Sequence, residues 1–183
     1  MVKLVHCGCD NALVPVLLIA LTSGRMGLRR RAAAWKPRPL GTAAGRKNYY
    51  RICYSQGVRE WEVYQTNDVA AWLDQLQADD PRSADLVDDG IYALSYSGPA
   101  LGRPLVDTIT GSTIKNLKEL RPPSSGSSKI RILFVFDPWR SAILLVAGNK
   151  AGRWSHWYAE SIPLAEQLYE TYLKERAEEE AGR

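Results

Sequence analysis

Eight cations crowd one stretch of this 183-residue chain: Lys115, Lys118, Arg121, Lys129, Arg131, Arg140, Lys150 and Arg153 share residues 112–153 with two acids, Glu119 and Asp137. Cations held on strands suit phosphate. The planar fork of Arg matches two phosphoryl oxygens, whereas Lys acts as a point charge whose pKa can fall beside other cations. Arg121 and Arg131 are candidates for binding phosphate and stabilising charge that builds on its oxygens, and Lys150 for supplying charge or acting as a base. His156, the one histidine after residue 57, is of the type suited to proton transfer near neutrality. Tyr158 could protonate a leaving group or stack a base. Lys115, Lys118, Trp139, Arg140 and Arg153 are candidate contacts to a phosphate-bearing polyanion, Trp139 by stacking and Arg140 by charge. Blander alternatives stand beside these: a salt bridge from Arg121 to a helix acid, a solvated loop Lys150, ring residues packing on a helix, and a Trp139 folded back on the sheet.

The element that must position Arg131 and Lys150 is the run from Lys129 to Lys150, KIRILFVFDPWRSAILLVAGNK. Two apolar strands, Ile130–Phe136 and Ala142–Ala147, flank Asp137-Pro138-Trp139-Arg140, with Asp and Pro at the first two positions of a type I turn. Alternation sends Ile130, Ile132, Phe134 and Phe136 to a helix-covered face, and Arg131, Leu133 and Val135 to the face where chemistry could sit. Leu117–Arg121 reads as a third strand with Glu119 and Arg121 on one face, followed by a flexible PPSSGSS link.

Upstream, Trp61–Thr66 alternates as a short strand, and Thr66 or Asn67 can cap a helix built on Val69, Trp72, Leu73 and Leu76. Asp80-Pro81 restarts a second helix with its apolar face at Ala84, Val87, Ile91 and Leu94, ended by Gly98-Pro99. The Gly/Pro content of 98–111 implies a loop. The last helix is expected from about Ile162-Pro163, with Ser161 as cap, Leu164, Ala165, Leu168, Tyr172 and Leu173 inside, and a fraying acidic end. The ring cluster Trp154, His156, Trp157, Tyr158 then precedes that helix.

Charge divides the chain. Residues 1–57 hold ten Lys/Arg and one acid, while 58–183 hold fourteen Lys/Arg and nineteen acids. We expect a basic, disordered extension or mis-assigned start over 1–57, with Met26 the obvious later start, and one folded domain over 58–183. The apolar run Ala12–Leu21 is shorter than the roughly 20 residues that span a bilayer, and the arginines after it oppose export, so a cytoplasmic location is expected. All three cysteines (Cys7, Cys9, Cys53) fall in the extension. They offer neither a disulfide framework nor zinc spacing, and no metal or cofactor is expected.

The order of elements, with Leu117-Lys118-Glu119-Leu120-Arg121, then Arg131-Ile132-Leu133-Phe134, Asp137-Pro138, Asn149-Lys150, Trp157-Tyr158 and the Ile162-Pro163 helix, resembles the HigB-like branch of the RelE/ParE toxin superfamily over about 61–175. The resemblance implies an α+β fold, a small mixed, largely antiparallel sheet backed by a helical hairpin and a C-terminal helix. It implies a toxin of a type II toxin–antitoxin module that cuts messenger RNA on the ribosome. A cognate antitoxin, with a helix-turn-helix, would neutralise it. Metal-free cleavage by 2′-OH attack would use Arg121 and Arg131 on the phosphate. Relatives often carry catalytic histidines or an acid–aromatic set near the C-terminus, where this chain has only Glu and Tyr, so the general acid and base stay open. A ParE-like toxin that binds DNA gyrase, or a phage-derived interaction protein, is the alternative.

Overall fold

The structure, a computed structural model, describes residues 49–52, 61–152 and 154–182. The expectations for the apolar run, the cysteines, Met26 and Arg153 lie outside them.

Among the described residues six strands form one mixed sheet: β1 (Tyr49–Arg51), β2 (Glu62–Thr66), β3 (Val106–Thr108), β4 (Lys118–Leu120), β5 (Ile130–Phe136) and β6 (Ser141–Asn149), in the order β1-β2-β6-β5-β4-β3. Only the β2–β6 pair among the described residues is parallel. Helices α1 (Asn67–Asp79) and α2 (Pro81–Ser97) cover one face, and α3 (Trp154–Ala181) covers the other. This is the expected α+β class, built as three layers.

Local signals set the helical hairpin. The Thr66 hydroxyl accepts from the Val69 amide at 3.2 Å, and Asp80 accepts from the Ser83 amide at 3.1 Å with Pro81 in the first turn, satisfying amides that a helix start leaves without partners. Gly98 ends α2 at φ 52°, and a Cβ there would lie 2.1 Å from the Trp61 indole, so close approach and handedness both demand glycine. The 122–128 link, expected to be flexible, is stitched to this hairpin: the Ser125 hydroxyl donates to Asp80 at 2.5 Å and its amide to the Ser83 hydroxyl at 2.8 Å.

The β5–β6 hairpin closes as expected, with more detail than a bare type I turn. Asp137 is buried; its carboxylate accepts from the Trp139 and Ser141 amides and from the Tyr172 hydroxyl at 2.6 Å. Arg140 takes φ 63°, the left-handed position that a three-residue hairpin loop normally gives to glycine.

Alternation along β5 places Ile130, Ile132 and Phe134 in the core under α1 and α2, and Leu133 and Val135 in the core under α3. The second face is therefore covered along most of its length, and chemistry is left to its Arg131 end. In β6 the register shifts where Leu133 opposes Val146 and Phe134 opposes Leu144. The extra residue, Leu145, reverses the alternation beyond it, so Gly148 and Lys150, instead of Asn149, share the face of Arg131.

Four expectations are corrected. Residues 106–108, read as loop, form edge strand β3, because Val106 packs in the core and Asp107 pairs opposite Glu119. Tyr49–Arg51 falls within the stretch read as extension, yet it pairs antiparallel with β2, and Tyr49 and Ile52 are each 3% exposed. Helix α3 starts at Trp154, eight residues before Ile162, so Pro163 lies inside it and Leu164 is exposed. The acidic end stays helical to Ala181.

Tyr49 and Tyr172 meet edge to face at 5.2 Å between β1 and α3. Burial pushes both hydroxyls well above the ordinary tyrosine value of 10.0, helped by the charge of Glu175 at Tyr49 and by the bond to Asp137 at Tyr172. The folded state holds these protons more tightly than the unfolded chain, so their contribution is complete below about pH 10 and is lost as pH rises further. Each can cost up to about 1.4 kcal/mol per pH unit above 10. Denaturant melts from pH 8 to 11 should show stability falling steeply beyond 10; a flat profile would contradict this burial.

Candidate active site

Four strands and one helix meet at the Arg131 end of the α3 face. Glu119 sits on β4 opposite Leu133, and Arg121 follows it two residues on, its amide bonded to the Leu105 carbonyl at 2.7 Å. Arg131 on β5 lies opposite Gly148, and Lys150 is tied beside Lys129 by its amide at 3.0 Å. A Cβ on Gly148 would come within 2.6 Å of the Trp157 indole nitrogen. The missing side chain lets the first turns of α3 approach the sheet and deliver Tyr158.

Glu119 is the hub. Its carboxylate accepts a 2.5 Å hydrogen bond from the Tyr158 hydroxyl and stands 3.5 Å from Arg131 Nε and 3.6 Å from Arg121 Nε. The Tyr158 oxygen accepts from Lys150 Nζ at 2.9 Å, and that ammonium lies 4.9 Å from the centre of the tyrosine ring. Arg121 also pairs with Asp107 at 2.8 Å, and Arg131 donates to the Ile130 carbonyl at 2.6 Å. Three cations thus face two carboxylates. The partners of Arg121 are strand acids, where a helix acid was the bland expectation.

Burial and charge tune two of these groups. Lys150 is 7% exposed, far from a solvated loop lysine. Desolvation and the neighbouring Arg131, Arg121 and Lys129 hold its pKa below the ordinary lysine value of 10.5, with Glu119 opposing them. Tyr158 moves the other way: burial, then the bond to Glu119, push its hydroxyl well above 10.0. It keeps its proton at working pH and serves as a donor or bridge, not as a base.

The other sequence candidates are not brought to this cluster. His156 is exposed and pairs with Glu160 one turn along α3 at 3.0 Å. Lys118 belongs to the opposite face of β4, where it reaches the Thr108 hydroxyl at 3.4 Å, and Lys115 is exposed in the preceding loop. Trp139 and Arg140 sit at the far end of the hairpin, about 20 Å of strand away. There Trp139 packs under Arg176, and Arg140 lies over Trp61. In the other direction, Glu119 and Asp107 were missed as site residues. Glu119 had a signal in its shared face with Arg121; Asp107 had none, because its strand was hidden among glycines and prolines.

A mixed sheet between a helical hairpin and a C-terminal helix is a RelE-like fold. Residues 71–170 match the family described as "Phage derived protein Gp49-like". The chain belongs to this family, and so to the HigB-like branch of the RelE/ParE superfamily. Two relatives from Mycobacterium tuberculosis (strain H37Rv) align over 105 residues, 57% of this chain: "Putative toxin HigB2" at 53% identity and "Putative toxin HigB3" at 50%. The chain spans about half of the first relative, 51% of its length, and 87% of the second. No solved structure matches. No helix among the described residues is long and apolar enough to cross a membrane.

Proposed function

We propose that the protein is the toxin of a type II toxin–antitoxin pair and that it cuts messenger RNA on the ribosome by attack of a 2′-OH on the adjacent phosphorus. The observation that carries this reading is the meeting of Arg121, Arg131, Lys150 and Tyr158 around Glu119. Arg121 and Arg131 would take the phosphoryl oxygens and stabilise the charge that grows on them in the transition state. Lys150, with its lowered pKa, can lose a proton more readily than an ordinary lysine and so could act on the 2′-OH. Tyr158, holding its proton, could approach the leaving 5′-oxygen or a flanking base. The outer RNA contact falls to exposed Lys129, which borders the site beside Lys150.

The partner that this reading requires is an antitoxin. Asp68, Asp74, Asp79, Asp85 and Asp89 are exposed on α1 and α2, on the side of the sheet away from the cluster. A basic helix-turn-helix protein would be drawn there. The reading is tested by expressing the protein in growing cells and mapping RNA 5′ ends. Cuts inside translated messages, in register with the reading frame, are expected; intact messages accompanied by double-strand DNA breaks would replace it with gyrase poisoning.

A further inference from the structure

We propose that Glu119 acts as a positioning residue for Lys150, through the Tyr158 hydroxyl that bridges the two side chains. The inference deepens the nuclease reading and rests on it for the part Lys150 plays in the reaction. A tyrosine hydroxyl has one proton. With that proton committed to Glu119 at 2.5 Å, the oxygen must accept, and it accepts from Lys150 Nζ at 2.9 Å. The order of donors is thereby fixed from the strand carboxylate outward: Glu119 orients the hydroxyl, and the hydroxyl orients the amine. Rotation of Tyr158 is further limited by the Trp157 ring, edge to face at 4.9 Å.

The groups facing Lys150 come from every element packed against it: Glu119 and Arg121 from β4 and its end, Lys129 just before β5 and Arg131 on it, and the neutral Tyr158 hydroxyl from α3. Arg131, Arg121, Lys129 and burial all disfavour the ammonium form; Glu119 favours it. A carboxylate that merely neutralised Arg121 and Arg131 could stand anywhere between them at 3.5–3.6 Å. Its shortest contact is instead to the hydroxyl that leads to the lysine, and this connects it to proton chemistry as well as to folding.

The test uses the full chain and two readouts. The first is the titration of the Lys150 ε-carbon by NMR in selectively labelled protein without RNA; the second is the pH profile of RNA cleavage. Glu119→Gln keeps the shape and an oxygen that can accept from Tyr158 but removes the charge. It should move the Lys150 titration down by about one pH unit, the scale for losing an opposite charge a few ångströms away, and the limb of the kcat profile that reports Lys150 should move with it. Tyr158→Phe removes one oxygen from the bridge and should also shift Lys150. In that background Glu119→Gln should have a much smaller effect, as a double-mutant cycle would reveal. An unmoved Lys150 titration in folded Glu119→Gln would overturn the inference. Should Glu119→Gln fail to fold, an unmoved titration in Tyr158→Phe would overturn it equally. If Lys150 responds as expected while the wild-type protein cuts no RNA, the coupling stands and the nuclease reading falls.

Discussion

Replacing both Arg121 and Arg131 with lysine should lower RNA cleavage by roughly 100-fold or more while leaving the protein folded. Losing one well-aimed donor to developing charge costs about 10²–10³ in rate. A lysine keeps the charge but loses the fork that grips two oxygens. Lysine is the informative replacement because of Glu119. On sequence grounds, alanine at these positions should leave the fold untouched, since exposed charges weigh little. The structure changes that expectation: the side chains of Arg131 and Glu119 are 11% and 7% exposed. Removing the cation from a buried pair strands the carboxylate, which costs about 3–5 kcal/mol where burial is complete. An inactive alanine variant could simply be unfolded. Single-turnover cleavage and a denaturant melt of the double lysine variant separate the two effects; unchanged cleavage in folded protein would remove the phosphate clamp.

A chain starting at Val58 should fail to hold the fold, whereas one starting at Met26 should keep it. From the charge pattern alone, a start near Val58 would be as good as the whole chain. Strand β1 alters this. Tyr49 packs against Tyr172 and donates to the Leu168 carbonyl at 2.6 Å, and Ile52 is buried under the helical hairpin. Truncating a buried aromatic costs about 3–5 kcal/mol and a buried isoleucine about 2–5, against a total stability of about 5–15 kcal/mol for an ordinary domain. Losing β1 also turns β2 into a bare edge open to aggregation. Soluble yield and thermal melts of the two truncated chains test this; a Val58 chain melting like the full protein would show that β1 contributes nothing.

What the residues announce is what local chemistry controls. Asp80-Pro81, Thr66 before an apolar helix, and the Val/Ile/Leu/Phe alternation around Asp137-Pro138 each act within a few positions, and each element forms where they indicate. β1 and β3 were hidden because three residues carry almost no periodicity, even though each pairs with the next strand along the chain; the burial of Tyr49 comes from a partner as far away as Tyr172. Pro163 misled in a different way. A proline is favoured in a first helical turn, so Pro163 points to a helix start, but here the helix tolerates it inside and begins nine residues before it. The same displacement conceals the site. With α3 starting at Trp154, Tyr158 reaches Glu119 and His156 turns to solvent. Lys150 joins the cluster through the extra residue at Leu145, which strict alternation along β6 cannot reveal.

The most direct measurement is of the ends left on a defined message incubated with the purified protein in a translating extract. Attack by a 2′-OH on its neighbouring phosphorus breaks the bond to the 5′-oxygen, so the account predicts 2′,3′-cyclic phosphate and 5′-hydroxyl ends. These should appear only when the message is being translated, and should fall by roughly 100-fold or more with the Arg121→Lys, Arg131→Lys protein. Ends carrying 5′-phosphate, or a message that stays intact while the wild-type protein still arrests growth, would contradict it.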